Sequence, residues 1–401
     1  MEEKKLVPKL RFPGFTEPWE QRKLGECMNS FAYGLNAAAK GYDGMHKYIR
    51  ITDIDDETHN FIQSNLASPD IDFNMDVSHY KLNVGDIVFA RTGASVGKTY
   101  LYNPNDGDLY YAGFLIRGKV KEDCDAGFIY QNTLTKDYDS FIKITSQRSG
   151  QPGVNSKEYA TFRLNIPCKD EQEKISKVLN SLDELFTLHQ RKLEHLKLKK
   201  KSLLQKLFPK EGEVYPELRF PGFTDPWEQR KLADVANIIM GQSPSSQNYT
   251  DNPNDNILVQ GNADLIDGQV VPRLWTKEIT KSIDAGNIVM TVRAPVGDVA
   301  KTAYKVVLGR GVAGIKGDEY IYQFLLKLKY NHYWRSLSSG STFESINSND
   351  IKNLIIDIPC DEERTKIRNL LSTTDTLITL HQRKLEHLQL LKKALLQQLF
   401  V

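Results

Sequence analysis

Nine consecutive residues, Arg91-Thr92-Gly93-Ala94-Ser95-Val96-Gly97-Lys98-Thr99, are of the kinds that can hold a phosphate. A nucleotide-binding loop spaces its residues as Gly-x4-Gly-Lys-[Ser/Thr], so that successive backbone N–H groups wrap the phosphates. Here only Ala94, Ser95 and Val96 separate the two glycines, which stand one position too close. The matching stretch further on, Arg293-Ala294-Pro295-Val296-Gly297-Asp298, has Asp in place of Lys. Both departures argue against a nucleotide-binding enzyme of the phosphate-loop kind. Two other readings stand beside it. One is a tight turn after a buried strand. The other is a turn that also touches a phosphate backbone, with Arg91, Thr92, Ser95, Lys98 and Arg293 as donors.

A second polar loop runs Ser146-Gln147-Arg148-Ser149-Gly150-Gln151-Pro152-Gly153-Val154-Asn155. Its counterpart is Ser338-Ser339-Gly340-Ser341-Thr342-Phe343-Glu344-Ser345-Ile346-Asn347. Gln, Arg, Asn and Ser can read base edges in a DNA groove. Gln147, Arg148, Ser149, Gln151, Asn155, Ser339, Ser341 and Asn347 are therefore candidate DNA contacts. A solvated loop before a strand is an equally good reading of any one of them. Residues 141–165 add a basic patch, Lys143, Arg148, Lys157 and Arg163 against Glu158. The wider charge does not point to nucleic acid. Residues 25–165 hold 14 basic and 18 acidic side chains, net −4, and residues 233–357 hold 12 and 13, net −1. A DNA face has to be a local patch.

Other chemistry finds little support. His189 and His195 stand six apart, on different faces of a helix, as do His381 and His387. With no Cys-x-x-Cys or His-x-x-x-His pattern, no metal site is expected. Gly-rich cofactor loops, the Asn/Asp-Pro-Pro-Tyr/Phe element of amino-methyltransferases, a nuclease carboxylate set and a Gly-x-Ser-x-Gly elbow are all missing. Cys27, Cys124, Cys168 and Cys360 show no paired spacing, which reads as reduced thiols in a cytoplasmic protein. The start lacks a signal-peptide stretch, and no apolar run approaches ~18 residues, so no membrane span is expected. The 401 residues, with a formal charge of +2 and 40% hydrophobic side chains, favour two or more domains with ample core.

The elements that position these loops are set by a repeat. Leu10–Leu24 (LRFPGFTEPWEQRKL) returns as Leu218–Leu232 with Glu17 changed to Asp225. Thr187–Leu196 (TLHQRKLEHL) returns unchanged as Thr379–Leu388. A spacing near 200 residues is too long for a solenoid unit and means two tandem halves with one frame around dissimilar middles. Each half ends in a predicted long helix. Asp170 to Phe208 contains no Pro or Gly, and Asp170 with Glu173 has the form of a capping box. One heptad position holds Ile175, Leu182, His189, Leu196 and Leu203; the other holds Leu179, Phe186, Leu193, Lys200 and Leu207. The second copy uses Ile367, Leu371, Ile378, Leu385, Leu388, Leu395 and Leu399, with Thr374, His381 and Lys392 as polar interruptions. This is a coiled-coil seam. Residues 170–188 carry two basic and five acidic groups, and 189–208 seven basic and one acidic. Acidic starts and basic ends favour antiparallel pairing of the helices. The middles show mixed α/β signs, with strands expected at Asp86–Ala90, Asn287–Met290, Leu164–Ile166 and Leu354–Ile358. Periodicity does not assign their topology.

This tandem frame resembles the specificity (S) subunit of type I restriction-modification enzymes over essentially the whole chain. The segment leading into the first helix, Asn165-Ile166-Pro167-Cys168-Lys169-Asp170-Glu171-Gln172-Glu173-Lys174-Ile175, is similar to the family's Ile-Pro…Glu-Gln…Ile pattern. The second copy departs from it with Arg364 where Gln172 stands. Gly85-Asp86-Ile87-Val88-Phe89-Ala90-Arg91-Thr92-Gly93 is also typical of such recognition domains.

The resemblance implies an α+β protein of two pseudo-symmetric halves. A frame segment and target recognition domain occupy residues 1–165, a spacer helix 166–208 and a linker 209–217. The repeated frame and second recognition domain occupy 218–357, and the second spacer helix 358–401. It implies a non-catalytic reader of a bipartite, asymmetric double-stranded DNA site. Two methyltransferase (M) subunits would bring S-adenosylmethionine, and motor-nuclease (R) subunits would bring ATP and Mg. No cofactor is expected on this chain. A coiled-coil scaffold without nucleic acid is the competing reading, but it leaves the dissimilar middles unexplained.

Overall fold

The structure, a computed structural model, describes residues 6–334 and 345–401; Ser339 and Ser341 lie outside the described residues. The chain groups into two compact units, Met1–Arg191 with Arg383–Val401, and Lys192–Gln382.

In the first unit a four-stranded antiparallel sheet has the order Met28–Tyr33, Leu115–Val120, Asp86–Ala90, Thr99–Leu101. Asp86–Ala90 is buried along its whole length, as the apolar run Ile87–Ala90 requires, with Asp86 accepting the Asn83 N–H at 2.9 Å. Two short helices, Ala126–Asn132 and Lys136–Thr145, follow the sheet, capped by Asp125 and Thr135 side chains. The frame segment then joins the return strand: Glu20–Lys23 pairs antiparallel with Arg163–Ile166.

The second unit repeats this plan in unlike sequence. Asn237–Met240, Val312–Lys316, Ile288–Thr291 and Val299–Lys301 stand in the same order within a six-stranded sheet. Glu228–Lys231 pairs with Ile355–Ile358 in the register of the first frame. The repeated tryptophans Trp19 and Trp227 are buried in the two cores. Arg11 forks onto Glu171 at 2.8 and 2.9 Å, and Arg219 onto Glu363 at the same distances.

The long helices span Lys169–Lys206 and Asp361–Leu399. The first begins one residue before the expected Asp170, so Asp170 is its second residue rather than its cap. Gln172 links this turn to its surroundings, accepting the Asp125 N–H at 2.9 Å and donating to the Pro167 carbonyl at 2.9 Å. Within each unit the start of one long helix lies antiparallel to the end of the other. In the first, Lys392 meets Asp183 at 2.6 Å while Asn165, earlier in the chain, meets Val401, later in it. In the second, Lys200 meets Asp375 at 2.5 Å.

Candidate nucleic-acid interface

The two polar loops of the first unit are one structure. Thr92 bridges Gly153, the Gly93 N–H donates to the Pro152 carbonyl at 3.0 Å, and the Val154 N–H donates to the Arg91 carbonyl at 2.9 Å. Arg91, Thr92, Gln151 and Asn155 are thereby brought together, with Gln147, Arg148 and Ser149 exposed on the adjoining loop. The Arg91 guanidinium lies 5.0 Å from the Tyr33 ring centroid. Hydrogen bonds from Ser156, aided by the Arg91 charge, hold the Tyr33 phenol below its ordinary pKa. Asn155 caps the short helix Ser156–Tyr159 in a capping box with Glu158, and Glu158 also holds Arg148 at 2.5 Å.

In the second unit Arg293 bridges Ser345, and the Ile346 N–H donates to the Val292 carbonyl at 3.0 Å. Asn347 caps Ser348–Lys352, as Asn155 does its helix. These bonds correct the register read from the sequence. Arg293 occupies the place of Thr92, and Val292 that of Arg91, because the second loop is shorter before its Gly297. Lys98 and Lys143 line a groove of about 1320 Å³ whose lining includes none of Arg91, Thr92, Gln151 and Asn155. The Lys98 ammonium is paired with Asp56 and its side chain is 19% exposed. The groove wall also carries Lys136, Asp137 and Asp139. Ser95 sits half-buried in the turn.

The phosphate-loop alternative fails on geometry. A phosphate loop feeds a helix whose N-terminus faces the anion. Here Gly93–Ser95 is a tight turn, followed by the strand Thr99–Leu101. The Ala90 N–H donates to Lys98 O at 2.8 Å and the Gly97 N–H to Ala90 O at 3.0 Å, closing a hairpin. Gly93 and Gly97 take left-handed φ of 72° and 90°, and a Cβ on Gly97 would lie 2.7 Å from Ile142.

Every heptad residue is sheltered: Ile175, Leu179, Leu182, Phe186, Leu193, Leu196, Leu203 and Leu207 in one helix, and Ile367, Leu371, Ile378, Leu385, Leu388, Leu395 and Leu399 in the other. Two residues absent from the sequence reading complete the ionic contacts of the seam. Gln131 donates to Asp183 at 3.0 Å, and Gln323 donates to Asp375 at 2.7 Å. Each stands 52 residues before its acid, a match that marks them only once the pairing is known. Among the described residues no group of His, Cys, Asp and Glu could hold a metal ion, and no helix is long and apolar enough to cross a membrane.

Duplicated sheets, duplicated loop corners and antiparallel helix ends define a protein of two tandem, like-built halves. The family model for the type I restriction modification DNA specificity domain matches residues 16–198 and 224–390. The chain belongs to that family, as a specificity subunit with two tandem target recognition domains. It is 27% identical over 395 residues to the putative type I restriction enzyme MjaX specificity subunit of Methanocaldococcus jannaschii, covering 95% of this chain and 92% of that one. It is 22% identical to the MjaVIII specificity subunit of the same organism, over 79% and 78% of the two chains. In fold it is similar to a type I restriction-modification S subunit from M. genitalium, with TM-score 0.69, 13% identity and coverage of 98% and 99%. A chain from a structure on complex assembly and conformational transition of the type I R-M system gives TM-score 0.53 at 22% identity, over 97% and 98%.

Proposed function

We propose that this chain is the non-catalytic DNA reader of a type I restriction-modification enzyme, with each recognition domain reading one half of a bipartite, asymmetric site. The observation that carries this is a pair of backbone corners at equivalent places on duplicated sheets, Arg91 with Val154 and Val292 with Ile346, that carry unlike side chains. In this reading M subunits supply S-adenosylmethionine and adenine methylation, R subunits supply ATP, Mg and cleavage, and the complex works in the cytoplasm. Docking of two M subunits is supported by a second apolar stripe on each long helix. Val178, Leu185 and Leu188 are exposed on the first, and Leu377 and Leu380 stand exposed at the positions equivalent to Leu185 and Leu188 on the second. The leucine pair shared by both helices suits one partner type bound twice. Gel shift of the complex with M subunits on specific and scrambled DNA tests the function. Sequence-dependent retention supports it, and equal retention rejects it.

A further inference from the structure

Tyr33, Arg91 and Phe114 all stand at one end of the central sheet of the first unit. Tyr33 closes the strand Met28–Tyr33, Arg91 follows Asp86–Ala90, and Phe114 precedes Leu115–Val120. The Arg91 N–H donates to the Phe114 carbonyl at 3.0 Å, and Tyr33 pairs with Ile116 across the sheet. The Tyr33 hydroxyl stands 3.2 Å from Ser156 Oγ and accepts the Ser156 N–H at 3.3 Å, which fixes the ring under the Arg91 guanidinium. Both rings are left in solvent, Tyr33 43% and Phe114 58% exposed. An aromatic ring stabilises a fold mainly by burying its area, so folding does not explain a Phe114 that is fixed by its backbone and exposed in its ring.

The second unit keeps this corner and exchanges its side chains. The bond equivalent to Arg91–Phe114 runs from the Val292 N–H to the Gly311 carbonyl at 2.9 Å, and the strand equivalent to Met28–Tyr33 ends at Met240. Met240 and Gly311 thus stand where Tyr33 and Phe114 do, with exposed Arg310 beside them. One backbone carrying different side chains is what two readers of different half-sites require.

We propose that Tyr33 and Phe114 are specificity-determining residues of the first recognition domain, flanking Arg91 to seat the major-groove edge of a guanine next to a thymine. This rests on the DNA-reading function above. Arginine forks onto guanine O6 and N7, and an apolar ring packs on the thymine 5-methyl group. Stacking on Tyr33 holds the guanidinium plane before DNA arrives, which reduces the ordering lost on binding.

The test uses the full chain assembled with M subunits and a DNA series in which each base pair of the methylated site is replaced in turn. A parallel series replaces each thymine by uracil, which removes only the methyl group. The wild type is expected to lose affinity for one uracil in the half-site read by the first domain. Phe114→Ala should be insensitive to that same change. Arg91→Ala should relax the neighbouring guanine position by roughly 5- to 150-fold, with the salt slope and the other half-site unchanged. Tyr33→Leu should relax the same position less. The uracil series on the wild type needs no variant, so a folding defect cannot hide the answer. If no uracil in that half-site matters, or Arg91→Ala weakens all sequences alike and lowers the salt slope, the inference is overturned while DNA reading stands. A wild-type complex that shows no sequence preference overturns both.

Discussion

At Asp375 one carboxylate serves two partners, Lys200 at 2.5 Å and Gln323 at 2.7 Å, and Asp183 does the same for Lys392 and Gln131. The Lys200 side chain is 7% exposed, and burial lowers its pKa while Asp375 opposes the shift. Removing Asp375 leaves a buried ammonium unmatched, whereas replacing Lys200 by an apolar chain of similar volume removes the problem. Asp375→Ala is expected to lose about 2–3 kcal/mol in urea unfolding, and Lys200→Met less than about 1 kcal/mol. His59 offers a pH test. Burial lowers its pKa, and its Nδ1 is 3.0 Å from the Thr99 carbonyl. A histidine held neutral in the fold binds fewer protons than the unfolded chain. Its stabilising contribution is therefore full above the ordinary value of about 6.5 and is lost as pH falls from there toward the depressed folded value. Unfolding followed between pH 7 and 5 should show a loss that His59→Gln reduces. The seam lysines were legible as breaks in a heptad. Gln131 and Gln323 were not, because they reach the seam from the aperiodic middles.

The long helices were the most legible elements, since five heptads in a row without Gly or Pro have few other outcomes. Their sheltered and exposed leucines give a direct contrast. Leu179 is fully buried and Leu185 is exposed. Leu179→Ala is expected to destabilise by about 2–5 kcal/mol, and Leu185→Ala by no more than about 0.5 kcal/mol. Leu185→Glu combined with Leu377→Glu should instead release M subunits in gel filtration with folding intact. Several strands were also readable as apolar runs. Their order was not, because Met28–Tyr33 pairs with Leu115–Val120 across most of the domain, and strands of three to six residues carry too little pattern to specify such distant partners. The match of Arg293 to Arg91 failed for a related reason. Loop length shifts a local alignment that only backbone pairing fixes.

The whole molecule repeats one contact at both helix ends. The Leu10 N–H donates to the Gln398 carbonyl at 2.9 Å, and the Leu218 N–H to the Lys206 carbonyl at 2.8 Å. If the helices space the two readers, their length sets the number of unread base pairs. Removing Lys192–Leu198 together with Lys384–Leu390 takes one heptad from each and preserves seam phase. At about 1.5 Å per residue each helix shortens by ~10 Å, or about three base-pair steps. The half-site sequences should persist while their separation falls. The central claim is tested most directly by mapping methylated bases in the genome of cells that express this chain with its M subunit. The account predicts adenine methylation at a two-part, asymmetric motif with an unread gap, absent when the chain is omitted. Methylation that is unchanged without the chain, or confined to one continuous motif, would contradict it.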